Sequence, residues 1–218
     1  MRSKRLSTIK LAGMLGLLSA IIFFICIGLS IHFSPWFSWT ENWLSEMAGS
    51  LGETPIWAAR GISSITFNVG LIIAGIIGIL FAVMIRKSRM FNTCSGYLTT
   101  FILFIDMSAL CGIGVFPITV GGMHVLNALV LFALIPMLLF ITGYALWSVF
   151  GKKWWWLTNI LCCISVCSVF IFMFTGAKAV AEMIAFCCLF AFLIILSIKF
   201  LSLSFDSKEI FNRKPVSQ

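Results

Sequence analysis

Charge is what this sequence of 218 residues has least of: only 10% are Asp, Glu, Lys or Arg, and just seven are acids. A soluble domain carries about 25% charged and roughly 45–50% apolar residues. Here the apolar share reaches 61% and the mean hydropathy is +1.11, so no soluble fold absorbs the chain. Histidine is scarce as well. With only His32 and His124, a catalytic zinc site, which takes three protein ligands with histidine prominent, is poorly supplied. No metal or other cofactor is expected. The nucleophile motif G-x-S-x-G, the P-loop and G-x-G-x-x-G are missing, which lowers an enzymatic reading without removing it. No Cys-x-x-Cys occurs among the eight cysteines, and none of them falls in the long segment 32–61, where a disulfide outside the cytoplasm would be expected. Cysteines inside apolar runs act as small, polarizable packing residues.

What is there is hydrophobic length. A spanning helix needs about 20 predominantly apolar residues, and six stretches qualify: 11–31, 62–85, 97–116, 122–149, 155–175 and 181–203. The fold class is therefore all-α, a polytopic membrane protein of six helices. It divides into an N-terminal segment 1–10, a transmembrane domain 11–203 and a tail 204–218. The first run follows Arg2, Lys4, Arg5 and Lys10 like the n-region of a signal peptide. It is longer than an h-region of about 7–15 residues and no A-x-A site follows, so it reads as a retained helix.

The net charge of +8 does not point to nucleic acid, because the cations sit in short clusters between apolar runs. Thirteen of the fifteen lie before the first span, at Arg86, Lys87 and Arg89, at Lys152 and Lys153, and at Lys199, Lys208, Arg213 and Lys214. Only Arg60 and Lys178 fall on the other side. The positive-inside rule then puts both termini in the cytoplasm of a multi-pass cell-membrane protein, with membrane lipids as partners. Trp36, Trp39, Trp43 and Trp57 mark one interface, and Trp147 with Trp154 to Trp156 the other.

The first outer loop carries a helix signal. Ser38 and Glu41 fit the S-x-x-E capping box, and Trp39, Trp43 and Met47 recur at helical spacing. This predicts a short amphipathic helix in the outer interface, ended by Gly49, with Gly52, Thr54 and Pro55 turning the chain. In the second span Gly70, Ala74, Gly78 and Ala82 form a small-residue stripe that lets backbones approach. The stripe serves packing within the bundle or contact between copies in a homo-oligomer.

Asp106 falls near the middle of the third span, where a carboxylate costs about 2.5–3.5 kcal/mol on insertion scales. It should face the bundle interior as a ligand-binding or proton-handling group, or as a structural hydrogen-bond partner. His124 opens the fourth span with Asn127 one turn deeper, and the tight hairpin between the third and fourth spans can bring His124 over Asp106. An Asp–His pair supports acid–base work or polar packing. Asn42, Glu46, Asn68 and Arg60 gather around the first outer loop, with Lys178 and Glu182 at the outer junction of the fifth and sixth spans. The expectation is an outward-opening polar pocket whose ligand-binding residues are Asn42, Glu46, Asn68, Asp106, His124 and Asn127.

Asn42-Trp43-Leu44-Ser45-Glu46, then Phe67-Asn68-Val69-Gly70-Leu71-Ile72-Ile73-Ala74-Gly75, then Phe116-Pro117 with His124, together resemble the membrane family catalogued as domain of unknown function 998. The resemblance runs from the first span to the sixth, with Glu46 standing where that pattern more often has aspartate. It implies a six-helix bacterial or archaeal membrane protein without an established activity, distantly akin to the damage-regulated autophagy modulator type. Three functions follow from the residues. The chain binds a lipid or small amphiphile, or it is an intramembrane hydrolase or transferase using Asp106, His124 and Glu46, or it is a small transporter. Transport ranks last, because no pair of Gly/Pro-broken helices marks inverted repeats, and Pro136 is a single expected kink.

Overall fold

The computed structural model describes the backbone of residues 2–49 and 61–205, and the side chains of 6–49 and 61–203. Within these residues are six helices, each long and apolar enough to cross a membrane: α1 Arg2–His32, α2 Gly61–Ser88, α3 Cys94–Val115, α4 Gly122–Phe150, α5 Lys152–Thr175 and α6 Lys178–Phe205. The shortest, α3, has 22 residues, about 33 Å at 1.5 Å per residue, against a hydrocarbon core of about 30 Å. No strand occurs among the described residues. The turn expected at Gly52, Thr54 and Pro55, with Glu53, Trp57 and Arg60, lies outside them, as does the tail with Lys208, Arg213 and Lys214.

The helices overrun the apolar stretches at several ends. α1 already includes the basic segment before residue 11, because a helix can continue into the head-group layer while Lys and Arg stems reach for water. The connection at Lys152 and Lys153 shrinks to Gly151, whose φ of 93° is one that an L side chain rarely adopts.

Each helix packs on its neighbours in sequence, and α6 returns to α1, so the six form a closed ring. Alternating direction gathers residues 33–49 and the α3–α4 and α5–α6 turns at one end, here the loop end. Lys10, Arg86, Lys87, Arg89, Lys152, Lys153 and Lys199 gather toward the other, with the ends of α1 and α6. Trp36 and Trp39 are exposed at the loop end, and Trp147 and Trp156 at the opposite one.

Small and hydroxylated residues close the seams, as packing in lipid requires. Between α1 and α2 the Ser19 hydroxyl donates to the Ala74 carbonyl at 2.8 Å, the Ser63 hydroxyl donates to Ser30 O at 3.0 Å, and Ser34 and Ser63 pair at 2.6 Å. Gly70 leaves no room for a Cβ beside Cys26, and Gly78 none beside Met107. With Ala74 and Ala82 also buried, the whole stripe on α2 is occupied within the chain. A Cβ on Gly75 would stand 2.8 Å from Met107 O and Cys111 N of α3. Thr142 donates to Thr99 across α3 and α4 at 3.3 Å. α4 runs as one helix through Pro136, whose carbonyl accepts the Cys162 thiol of α5 at 3.3 Å. In the core, Phe23 stacks on Phe190 with centroids 4.1 Å apart, and Phe186 lies 5.3 Å from Phe132.

α5 is turned inside out relative to a soluble helix. Its buried residues are Thr158, Ser165 and Ser168, whereas Ile160, Ile164, Val169, Phe170, Met173 and Phe174 are exposed. With lipid as solvent, apolar faces have no reason to turn inward.

Candidate functional site

The loop 33–49 folds over its end of the bundle, and its polar residues bind one another. The amphipathic helix expected from Ser38 is not formed. Instead, Ser38 N–H donates to Asn42 Oδ1 at 2.9 Å, and the Ser38 hydroxyl pairs with Thr40. The chain makes only a five-residue 3₁₀ turn, Leu44–Ala48, ended by Gly49 at φ 140°. Glu46 does the capping expected of Glu41. Its Oε1 accepts the Trp43 N–H at 3.0 Å and its Oε2 the Asn42 side-chain amide at 2.8 Å. Leu44, Ser45, Met47 and Ala48 are buried, so this turn plugs the bundle end. Ser64 and Asn68 of α2 both donate to the Ala48 carbonyl, at 2.7 and 3.3 Å.

Beneath this plug a cleft of about 130 Å³ opens between α5 and α6. Phe132, Val169, Phe172, Ala181 and Ala185 supply its apolar wall, and Ser165, Ser168, Trp43 and Glu182 its polar groups. It reaches the surface at Val169, which is exposed. The Trp43 ring lies 5.1 Å from that of Phe172, and the Lys178 ammonium stands 5.8 Å from the Trp43 centroid. Glu182 accepts the Leu44 N–H through Oε2 at 2.6 Å. Two carboxylates thus hold consecutive backbone donors, Glu46 that of Trp43 and Glu182 that of Leu44. These bonds fix the tryptophan over the cleft.

The six residues expected to bind ligand do not converge. Asn42 and Glu46 touch, and Asn68 joins them only through the Ala48 carbonyl. His124 is buried, and its Nδ1 donates to Phe116 O at 2.9 Å, closing the α3–α4 turn. Asn127 donates to Met123 O at 2.7 Å and nestles where Gly112 has no side chain. Asp106 is fully buried, and among the described residues neither of its oxygens has a partner. Ten residues separate it from Phe116, about 15 Å along the axis at 1.5 Å per residue, so the Asp–His pair is not formed. The Thr99–Thr142 bond and the Gly112–Asn127 contact set the α3–α4 register, and on it Asp106 is level with Leu134 and Ile135. Among the described residues, no three His, Cys, Asp or Glu side chains gather as metal ligands.

The sequence-based set leaves out Trp43, Phe172 and Glu182, which line the cleft. Glu182 carried a signal, as an acid within the first turns of an apolar helix, but its partner Leu44 lies 138 positions away.

The family model described as "Protein of unknown function (DUF998)" matches residues 17–199. No curated protein and no solved structure matches the chain.

Proposed function

This chain belongs to the DUF998 family, and from that premise we propose that it is a cell-membrane protein with both termini in the cytoplasm that binds a lipid or small amphiphile between α5 and α6. The observation that carries the proposal is the cleft of about 130 Å³ under Trp43, apolar along its length and polar at Glu182, Ser165 and Ser168. An apolar cavity of roughly 150 Å³ holds a benzene-sized group. The cleft therefore suits the end of one alkyl chain or a small ring, with the remainder of an amphiphile along the exposed flank of α5. The excess of cations at the end bearing the termini supports the orientation.

In this reading Asn42, Glu46 and Asn68 serve the site by building the plug that positions Trp43. His124 and Asn127 hold the neighbouring α3–α4 corner. Turnover by Asp106, His124 and Glu46 has less support, since Asp106 lies about 15 Å from the level of the His124–Phe116 bond.

Native mass spectrometry of the gently purified protein tests the proposal. A discrete lipid adduct is expected, and Ala185→Phe, which fills the cleft, should remove it. A bare protein, or an adduct indifferent to Ala185→Phe, would exclude this cleft as the binding site.

A further inference from the structure

We propose that the α5/α6 cleft selects amphiphiles bearing a cationic amine, with Glu182 pairing with the ammonium beside the ring of Trp43; this inference rests on the lipid-binding reading above. Glu182 lines the cleft and uses one carboxylate oxygen, Oε2, on the Leu44 N–H. Among the described residues, no donor reaches Oε1. Glu46, close by, spends both oxygens on the loop. Neither acid forms an ion pair among the described residues. A carboxyl oxygen left without a donor in such a cleft suits a cation or a strong donor.

The aromatic wall points the same way. Ring faces attract cations within about 6 Å of their centroids, tryptophan best of all. Lys178, with its Nζ 5.8 Å from the Trp43 centroid, is the protein's own instance of that attraction. It is the one described cation at this end, against Glu46 and Glu182. A fatty acid would set a second acid against Glu182. A long-chain alcohol could bond to the free oxygen but brings no cation to it. The amine answers the free oxygen beside the ring, while its chain enters past Phe172 and Ala185.

The ammonium can come from a phospholipid with an ethanolamine head group or from a free long-chain amine, and two arms separate these sources. In the first, full-length protein in a neutral maltoside detergent is titrated with dodecylamine, dodecanol or dodecanoate, and occupancy is read by native mass spectrometry. Dodecylamine is expected to bind at least ten-fold more tightly than dodecanol, with dodecanoate weakest. Glu182→Gln keeps an acceptor for the Leu44 N–H, so it should fold normally and lose the preference for the amine over the alcohol. In the second arm, the protein is extracted from bilayers of equal phosphatidylethanolamine and phosphatidylglycerol. Ethanolamine-lipid adducts that Glu182→Gln abolishes identify a membrane lipid as the source. Dodecylamine selectivity without such adducts identifies a free amine.

Equal binding of amine and alcohol, or a preference that survives Glu182→Gln, would overturn the head-group assignment while leaving amphiphile binding in place. Failure of every probe to bind in a manner sensitive to Ala185→Phe would overturn both.

Discussion

Leu44 and Glu182, 138 residues apart, are joined by a 2.6 Å hydrogen bond in which the Leu44 N–H donates to Oε2 of the carboxylate. The loop between α1 and α2 is thereby fastened to α6, which neither precedes nor follows it. Fastening at that point holds Trp43 over the cleft instead of leaving it with Trp36 and Trp39 at the surface.

Glu182→Ala should therefore cost about 1–3 kcal/mol, the penalty of a buried donor left unpaired. Glu182→Gln should cost much less, since the amide oxygen still accepts. Thermal unfolding in detergent measures both. Equal losses would mean that the carboxylate charge, and not the bond to Leu44, supports the plug.

Gly75 and Gly28 make a matched pair for the seams. A Cβ on Gly75 meets backbone atoms of α3 at 2.8 Å, whereas one on Gly28 meets nothing within 4 Å. Gly75→Ala should destabilise by about 1–3 kcal/mol through overpacking. Gly28→Ala should stabilise by about 0.5–1 kcal/mol through helix propensity alone. The same unfolding assay reads both, and a neutral Gly75→Ala would show that α2 and α3 separate easily.

Asp106 offers a prediction of opposite sign. Its two oxygens are buried without partners among the described residues, and an orphaned polar group is a net cost in such surroundings. Asp106→Val, close in size, should raise stability by about 1–3 kcal/mol, while Asp106→Asn should bring no such gain. A lower unfolding midpoint for the valine variant would reveal a partner on which the fold depends, and would return Asp106 to the list of ligand-binding candidates.

Orientation can be checked at Glu41, which is exposed at the loop end. Glu41→Cys should gain one label from a membrane-impermeant thiol reagent applied to intact cells, relative to the parent with its eight cysteines. Labelling only after lysis would invert the topology.

Hydrophobic length and the spacing of cations made the six helices and their alternation readable from sequence, because in lipid each span must satisfy its own backbone. The plug was not readable in the same way. Trp39, Trp43 and Met47 do recur at helical spacing, but Glu46, Glu182, Ser64 and Asn68 hold this stretch by bonds from three parts of the chain. Those five bonds outweigh a helical spacing that only three residues carry. Asp106 and His124 looked like neighbours across a hairpin, yet counting turns back from Phe116 already separates them. The lining of the cleft was least legible. α5 is apolar almost throughout, and which of its sides meets α6 is decided by the few serines that turn inward.

The ring order has a consequence for how the molecule is made. Every seam that does not involve α6 joins helices adjacent in sequence, so a growing chain can add each span to a partner already in the bilayer, with contacts of the local kind that form quickly. The exception is α6, which must find α1 and α4, and only its arrival supplies Glu182 to Leu44. Until synthesis reaches the last span, Trp43 has no fixed seat and the cleft has no second wall. The site is therefore the final thing this chain assembles, and truncation between Thr175 and Lys178 should leave five inserted helices with nothing to bind.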